Sequence, residues 1–78
     1  MAYLAMKEGI LDSLRQSGGI ATDEAMARLA GIPEDEYTAV KTGKEAPSAL
    51  FLASIALTFS KNVDQLAEAR PDTFKAAA

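Results

Sequence analysis

The sequence contains no cysteine, no histidine and no tryptophan. Without cysteine there is no disulfide scaffold and no thiolate metal site. Without histidine the commonest zinc ligand is missing, and so is the usual general base of a hydrolase. No phosphate-cradling loop and no carboxylate pair set in an apolar stretch takes their place, so neither an enzyme nor a cofactor is expected. Long apolar runs are also lacking. The longest, Ala49 to Phe59, already contains Ser54 and Thr58, and a membrane span needs about 20 apolar residues. It therefore reads as a buried helix. The start, Met1-Ala2-Tyr3-Leu4, lacks the basic segment and apolar run of a signal peptide, and the expectation is a cytoplasmic protein.

What is present suits one small domain. The chain has 78 residues, 49% of them hydrophobic, which is enough for a core. A chain of this size buries only about 60% of its extended surface, so it must pack its elements well or associate. The net charge is −3. Phosphate-binding proteins usually carry a basic balance or a basic face; the eight basic residues can still build such a face locally.

Period-2 alternation is nowhere sustained, while helical spacing is everywhere, predicting an all-α fold of five short helices. Leu4, Ile10, Leu11 and Leu14 share one helical face, predicting a first helix from Tyr3 to Ser17 that ends at Gly18-Gly19. Thr22 suits an N-cap, with Asp23 and Glu24 in the first turn of a second helix over 22–30. That helix buries Met26, Ala27 and Ala30 and ends at Gly31. Pro33 then opens a third helix over 33–42, at the position where a missing N–H costs nothing. Tyr37 and Val40 form its inner face, and Gly43 suits a left-handed residue just beyond its end. Pro47-Ser48 opens a fourth helix whose apolar residues (Leu50, Phe51, Leu52, Ile55, Ala56 and Phe59) cover more than one stripe, predicting a central position. Asn62 with Gln65 resembles a capping box and starts a fifth helix at Val63, which Pro71 ends. The domain is thus expected over 1–70, with 71–78 as a C-terminal tail.

The joint between the second and third helices carries the most information. Two helices linked by a three- or four-residue turn containing glycine form a helix-turn-helix. A small side chain at Ala27 lets the helices cross closely, and Gly31 frees the turn to take a positive φ. From Thr22 the run TDEAMARLAGIPEDEYTAVKTGKEAPSALFLASIALTFSKNVDQL resembles the Xre/Cro/lambda-repressor-like family without a gap. Thr22 matches the threonine opening that family's second helix. Met26-Ala27 matches its Leu-Ala pair, and Ala30-Gly31-Ile32 its Leu-Gly-Val turn. Gly43 and Pro47 match its Gly-x-x-x-Pro connector, and Ile55-Ala56, Phe59 and Val63-Asp64-Gln65-Leu66 its closing segment. The resemblance covers residues 22–66 of the 78.

The resemblance implies a compact, sequence-specific regulator that binds double-stranded DNA through the major groove. It also implies a homodimer of phage or mobile-element kind, pairing through its fifth helix, with recognition helices about 34 Å apart. Such a protein would act by occupying an operator, without a separate effector domain. Carried over by position, the DNA-binding residues are Thr22, Asp23, Pro33, Glu34, Asp35, Thr38, Lys41, Thr42 and Lys44. Several departures matter. Asp23 stands where the family has a phosphate-contacting glutamine. Pro33, Glu34, Asp35 and Glu36 replace its usual Ser/Arg/Gln residues, and Val40-Lys41 replaces its Trp-Glu. A carboxylate can accept a hydrogen bond from cytosine N4; equally, these acids can simply stabilise the helix dipole. Lys41 and Lys44 suit phosphate contact or plain solvation. Two functions therefore remain open: DNA binding, or a protein-interaction module, such as an antirepressor or DNA mimic, whose acidic third helix meets a basic partner.

Overall fold

A computed structural model describes residues 2–76; the expectations that touch Met1, Ala77 and Ala78 lie outside the described residues. Among the described residues the order is β1 (Tyr3–Met6), α1 (Ile10–Ser17), α2 (Asp23–Ala30), α3 (Glu34–Lys41), α4 (Ala49–Phe59), α5 (Val63–Leu66) and β2 (Ala67–Arg70). The fold is mostly helical, with one two-stranded sheet.

Helix ends follow local chemistry. Thr22 caps α2, its hydroxyl accepting from Ala25 N–H at 3.1 Å, and Ser48 caps α4 by accepting from Phe51 N–H at 3.0 Å. Each cap satisfies an N–H that the first helical turn leaves without a carbonyl. Gly31 closes α2 at φ 72°. Its own N–H donates to Arg28 O, and Ile32 N–H donates to Ala27 O, a Schellman pair that turns the chain towards α3. Pro33 caps α3 from outside, with ψ 137°, and the helix starts one residue later than expected, at Glu34.

Three expectations are corrected. The first helix does not begin at Tyr3. Residues Tyr3–Met6 form β1, and Gly9 takes φ 75° just before Ile10, a left-handed conformation that no continuous helix can contain. Leu4 therefore leaves the predicted helical face. The fifth helix does not reach Pro71 either: it makes one turn, after which β2 runs antiparallel to β1 with Tyr3 opposite Arg70 and Met6 opposite Ala67. Lys7 N–H extends the contact by donating to Leu66 O at 2.9 Å. A pair of four-residue strands is marginal alone; here it rests on the core through Leu66, Ala67 and Met6. Finally, α4 is not buried all round. Phe51, Leu52 and Ile55 are buried, whereas Leu50 and Leu57 are 76% and 82% exposed.

One core joins the helices: Leu11 and Leu14 of α1, Met26, Ala27 and Ala30 of α2, Tyr37 and Val40 of α3, and Phe51 and Ile55 of α4, with Ile32 and Leu66. Tyr37 and Phe51 meet with ring centroids 6.3 Å apart. Past β2, Phe74 packs edge-on against Tyr3 at 5.3 Å. No described helix is long and apolar enough to cross a membrane.

Candidate nucleic-acid interface

Ala27 is 1% exposed. Without bulk there, α3 packs closely on α2 and turns its other side outwards. Tyr37 and Val40 face the core, so the 3.6-residue period directs Glu34, Asp35, Thr38 and Thr42 to solvent. With Ala39 and Lys44, these four line one shallow, open depression. Asp35 accepts from Glu36 N–H at 3.0 Å. The Thr42 hydroxyl donates to Thr38 O at 2.8 Å, leaving its oxygen free to accept from outside. No described cation forms an ion pair with Glu34, Asp35 or Glu36; Lys44, at the end of the depression, is likewise without an ion pair.

A second group of charges lies where α1, α2 and α3 meet. Lys41 Nζ stands 2.7 Å from Asp23 Oδ2 and 2.9 Å from Asp12 Oδ1. Arg15 Nε approaches Asp23 Oδ1 at 3.6 Å and Asp12 Oδ1 at 3.8 Å. The Arg15 guanidinium also donates to Ile20 O at 2.9 Å and Ala21 O at 3.3 Å, fastening the turn between α1 and α2. Two carboxylates and two cations leave this cluster with no net charge. The hydrogen bond from Lys41 holds the Asp12 carboxyl below its ordinary value, against a smaller opposing effect of burial. Hydrogen bonds to Asp23 and then Asp12 push the Lys41 ammonium up. Under the cluster, the Tyr37 hydroxyl is buried without a hydrogen-bond partner. Burial, and next the Asp23 carboxylate, push that phenol up to about 12.

The sequence-derived residues thus divide. Glu34, Asp35, Thr38, Thr42 and Lys44 share the outer face of α3 and the turn after it. Asp23 and Lys41 bind one another beside that face, with Asp12 and Arg15. Thr22 is occupied as the cap of α2, and Pro33 is exposed at the cap of α3. Sequence reasoning missed Asp12 and Arg15. Their i,i+3 spacing on one helix hinted at a pair, but their reach to Asp23 and Lys41 exists only after α1, α2 and α3 pack. Arg28, by contrast, makes a plain surface pair with Glu24 at 2.7 Å.

Comparison with protein-family models, with curated proteins and with solved structures finds no match, so no relative bears on these residues.

Proposed function

We propose that this chain is a sequence-specific DNA-binding regulator of the Xre/Cro/lambda-repressor-like kind, acting in the cytoplasm and laying α3 in the major groove. The observation that carries the reading is the α2–Gly31–α3 joint: Ala27 is closed into the core, the turn is hydrogen-bonded, and the outer side of α3 is left uncovered. A helix held this way can enter a groove about 12 Å wide without unfolding anything else. Glu34, Asp35 and Thr38 then meet base edges, where a carboxylate selects cytosine N4 and the threonine hydroxyl serves either base type. Lys44 and the Thr42 hydroxyl approach the phosphates. Asp23 does not repel them as a free carboxylate would, because Lys41 and Arg15 compensate its charge. The price is that Lys41 is engaged within the protein, so phosphate neutralisation falls mainly to Lys44 and other lysines. A shallow salt dependence follows. The protein acts by occupying a site, with no catalytic step.

One observation favours a second reading. Glu34, Asp35 and Glu36 have no cationic partner among the described residues, which suits a basic protein surface better than a generic duplex.

Fluorescence anisotropy with duplexes from the neighbouring genome, at about 50 and 200 mM salt, separates the two. DNA binding predicts tight, competitor-resistant association that weakens with salt. The triple variant Glu34→Ala, Asp35→Ala, Glu36→Ala should then bind random duplex more tightly and discriminate less. If the parent protein binds no duplex at the lower salt, the DNA reading fails. Loss of binding to a basic partner in the same variant would instead establish the second reading.

A further inference from the structure

The least expected feature of the surface is the outer side of α4. Leu50 and Leu57 are 76% and 82% exposed, the most exposed of the large hydrophobic side chains described. They lie seven residues apart, two turns or about 10.5 Å along the helix. Ala53, also exposed, falls between them on the same stripe. Opposite, Phe51, Leu52 and Ile55 are buried in the core. Thus α4 is apolar on both sides, and only one side is used within the chain.

We propose that this outer stripe is a contact between two copies of the chain, with their α4 helices antiparallel across a two-fold axis beside Ala53. Two observations point to a second copy. First, the stripe is self-complementary. A two-fold contact brings each residue against its counterpart in reciprocal fashion; centred between positions 53 and 54, Leu50 of one copy meets Leu57 of the other, and the reverse. Ala53 and Ser54 at the centre are small enough for helix axes to approach to about 8–10 Å. Second, α4 is the one described helix with no charged residue. Copies that each carry a net charge of −3 repel through most of their surface, and α4 is where they can touch without opposing like charges. The size of the stripe sets the strength of the contact. Two leucines and an alanine per copy fall well short of the ~800 Å² per partner of a standard interface. The association is therefore reversible and concentration-dependent, in the micromolar range or weaker. A lipid surface fits poorly: interfacial helices carry lysine or arginine along their flanks, and α4 has none.

This contact is independent of the reading of α3, because Glu34, Asp35, Thr38 and Thr42 belong to another helix. If both hold, one particle carries two α3 faces.

Sedimentation equilibrium of the full chain over about 1–500 μM tests the contact. The expected result is a shift from the 8.2 kDa chain mass towards twice that value. Raising the salt should strengthen the association, since it screens like charge. Leu57→Lys should weaken self-association at least ~10-fold. Leu29→Lys, at another exposed leucine on α2, should leave it unchanged. Circular dichroism and the thermal midpoint confirm that each variant folds. Orientation is tested by mixing Leu50→Glu chains with Leu57→Lys chains. Antiparallel pairing places the new glutamate against the new lysine and keeps one Leu50–Leu57 contact, so the mixture associates although each variant alone does not. A chain that stays monomeric throughout, a dimer indifferent to Leu57→Lys, or a mixture that fails to recover would each overturn the proposal.

Discussion

Tyr37→Phe should stabilise this protein, contrary to the usual effect of altering a core residue. The Tyr37 side chain is fully buried against Phe51, and its hydroxyl has no hydrogen-bond partner. A buried hydroxyl left unsatisfied costs about 1–3 kcal/mol. Phenylalanine keeps the ring and its packing and gives up only the oxygen, so a net gain of about 1 kcal/mol is expected. In a domain of this size that raises the thermal midpoint by roughly 4–8 °C, and the urea midpoint should rise at unchanged slope. Alkaline pH supplies an independent readout. The phenol titrates near 10.0 when unfolded and about 12 when folded. The native state therefore holds this proton more tightly. Its contribution is complete below about pH 10 and is lost as pH rises through about 12. Tyr37→Phe should remove that part of the alkaline decline, and ultraviolet titration should show tyrosinate forming near pH 12. A variant destabilised by about 1 kcal/mol or more would refute the reasoning, since it would mean that the hydroxyl is bonded, for example by an enclosed water.

Two further outcomes are expected. Gly31→Ala should cost about 1–2 kcal/mol in urea unfolding: φ is 72° and an added Cβ meets nothing within 4 Å, so the cost is backbone strain alone, and a loss of about 4 kcal/mol would point to a clash instead. At low pH, the Asp12 carboxyl, held down chiefly by its hydrogen bond from Lys41, contributes stability above about pH 4 that is lost as pH falls through its lower folded value. Lys41→Met should therefore flatten the fall of the thermal midpoint between about pH 5 and 2; an unchanged acid slope would show that the pair does not couple to folding.

Much of the helical frame was legible because its determinants are local. Thr22, Gly31, Ser48 and the Asn62–Gln65 pair each mark a helix end within a few residues of themselves, and the structure uses all of them. The inner faces of α2 and α3 followed from spacing, since Ala27, Tyr37 and Val40 are where a 3.6-residue period puts them. Glu34, Asp35 and Thr38 could be assigned to the outer face of α3 by the same periodicity, with no knowledge of what α3 packs against.

What only the tertiary structure decided depends on partners far away in the chain. Leu4, Ala5 and Met6 are good helix formers, as are Ala67, Glu68, Ala69 and Arg70. Yet they form β1 and β2, because each strand supplies the backbone hydrogen bonds of the other across more than sixty residues of sequence. Local periodicity carries no record of such a partner. Nor could it show that Lys41 spans Asp12 and Asp23, since the three lie on separate helices and meet only once the core has closed. The two apolar sides of α4 are alike in sequence, so burial of one and exposure of the other was settled by how α2 and α5 pack against it. Helix ends and helix faces are properties of a segment, whereas strand pairing, ion-pair partners and the choice of buried side are properties of the assembled chain.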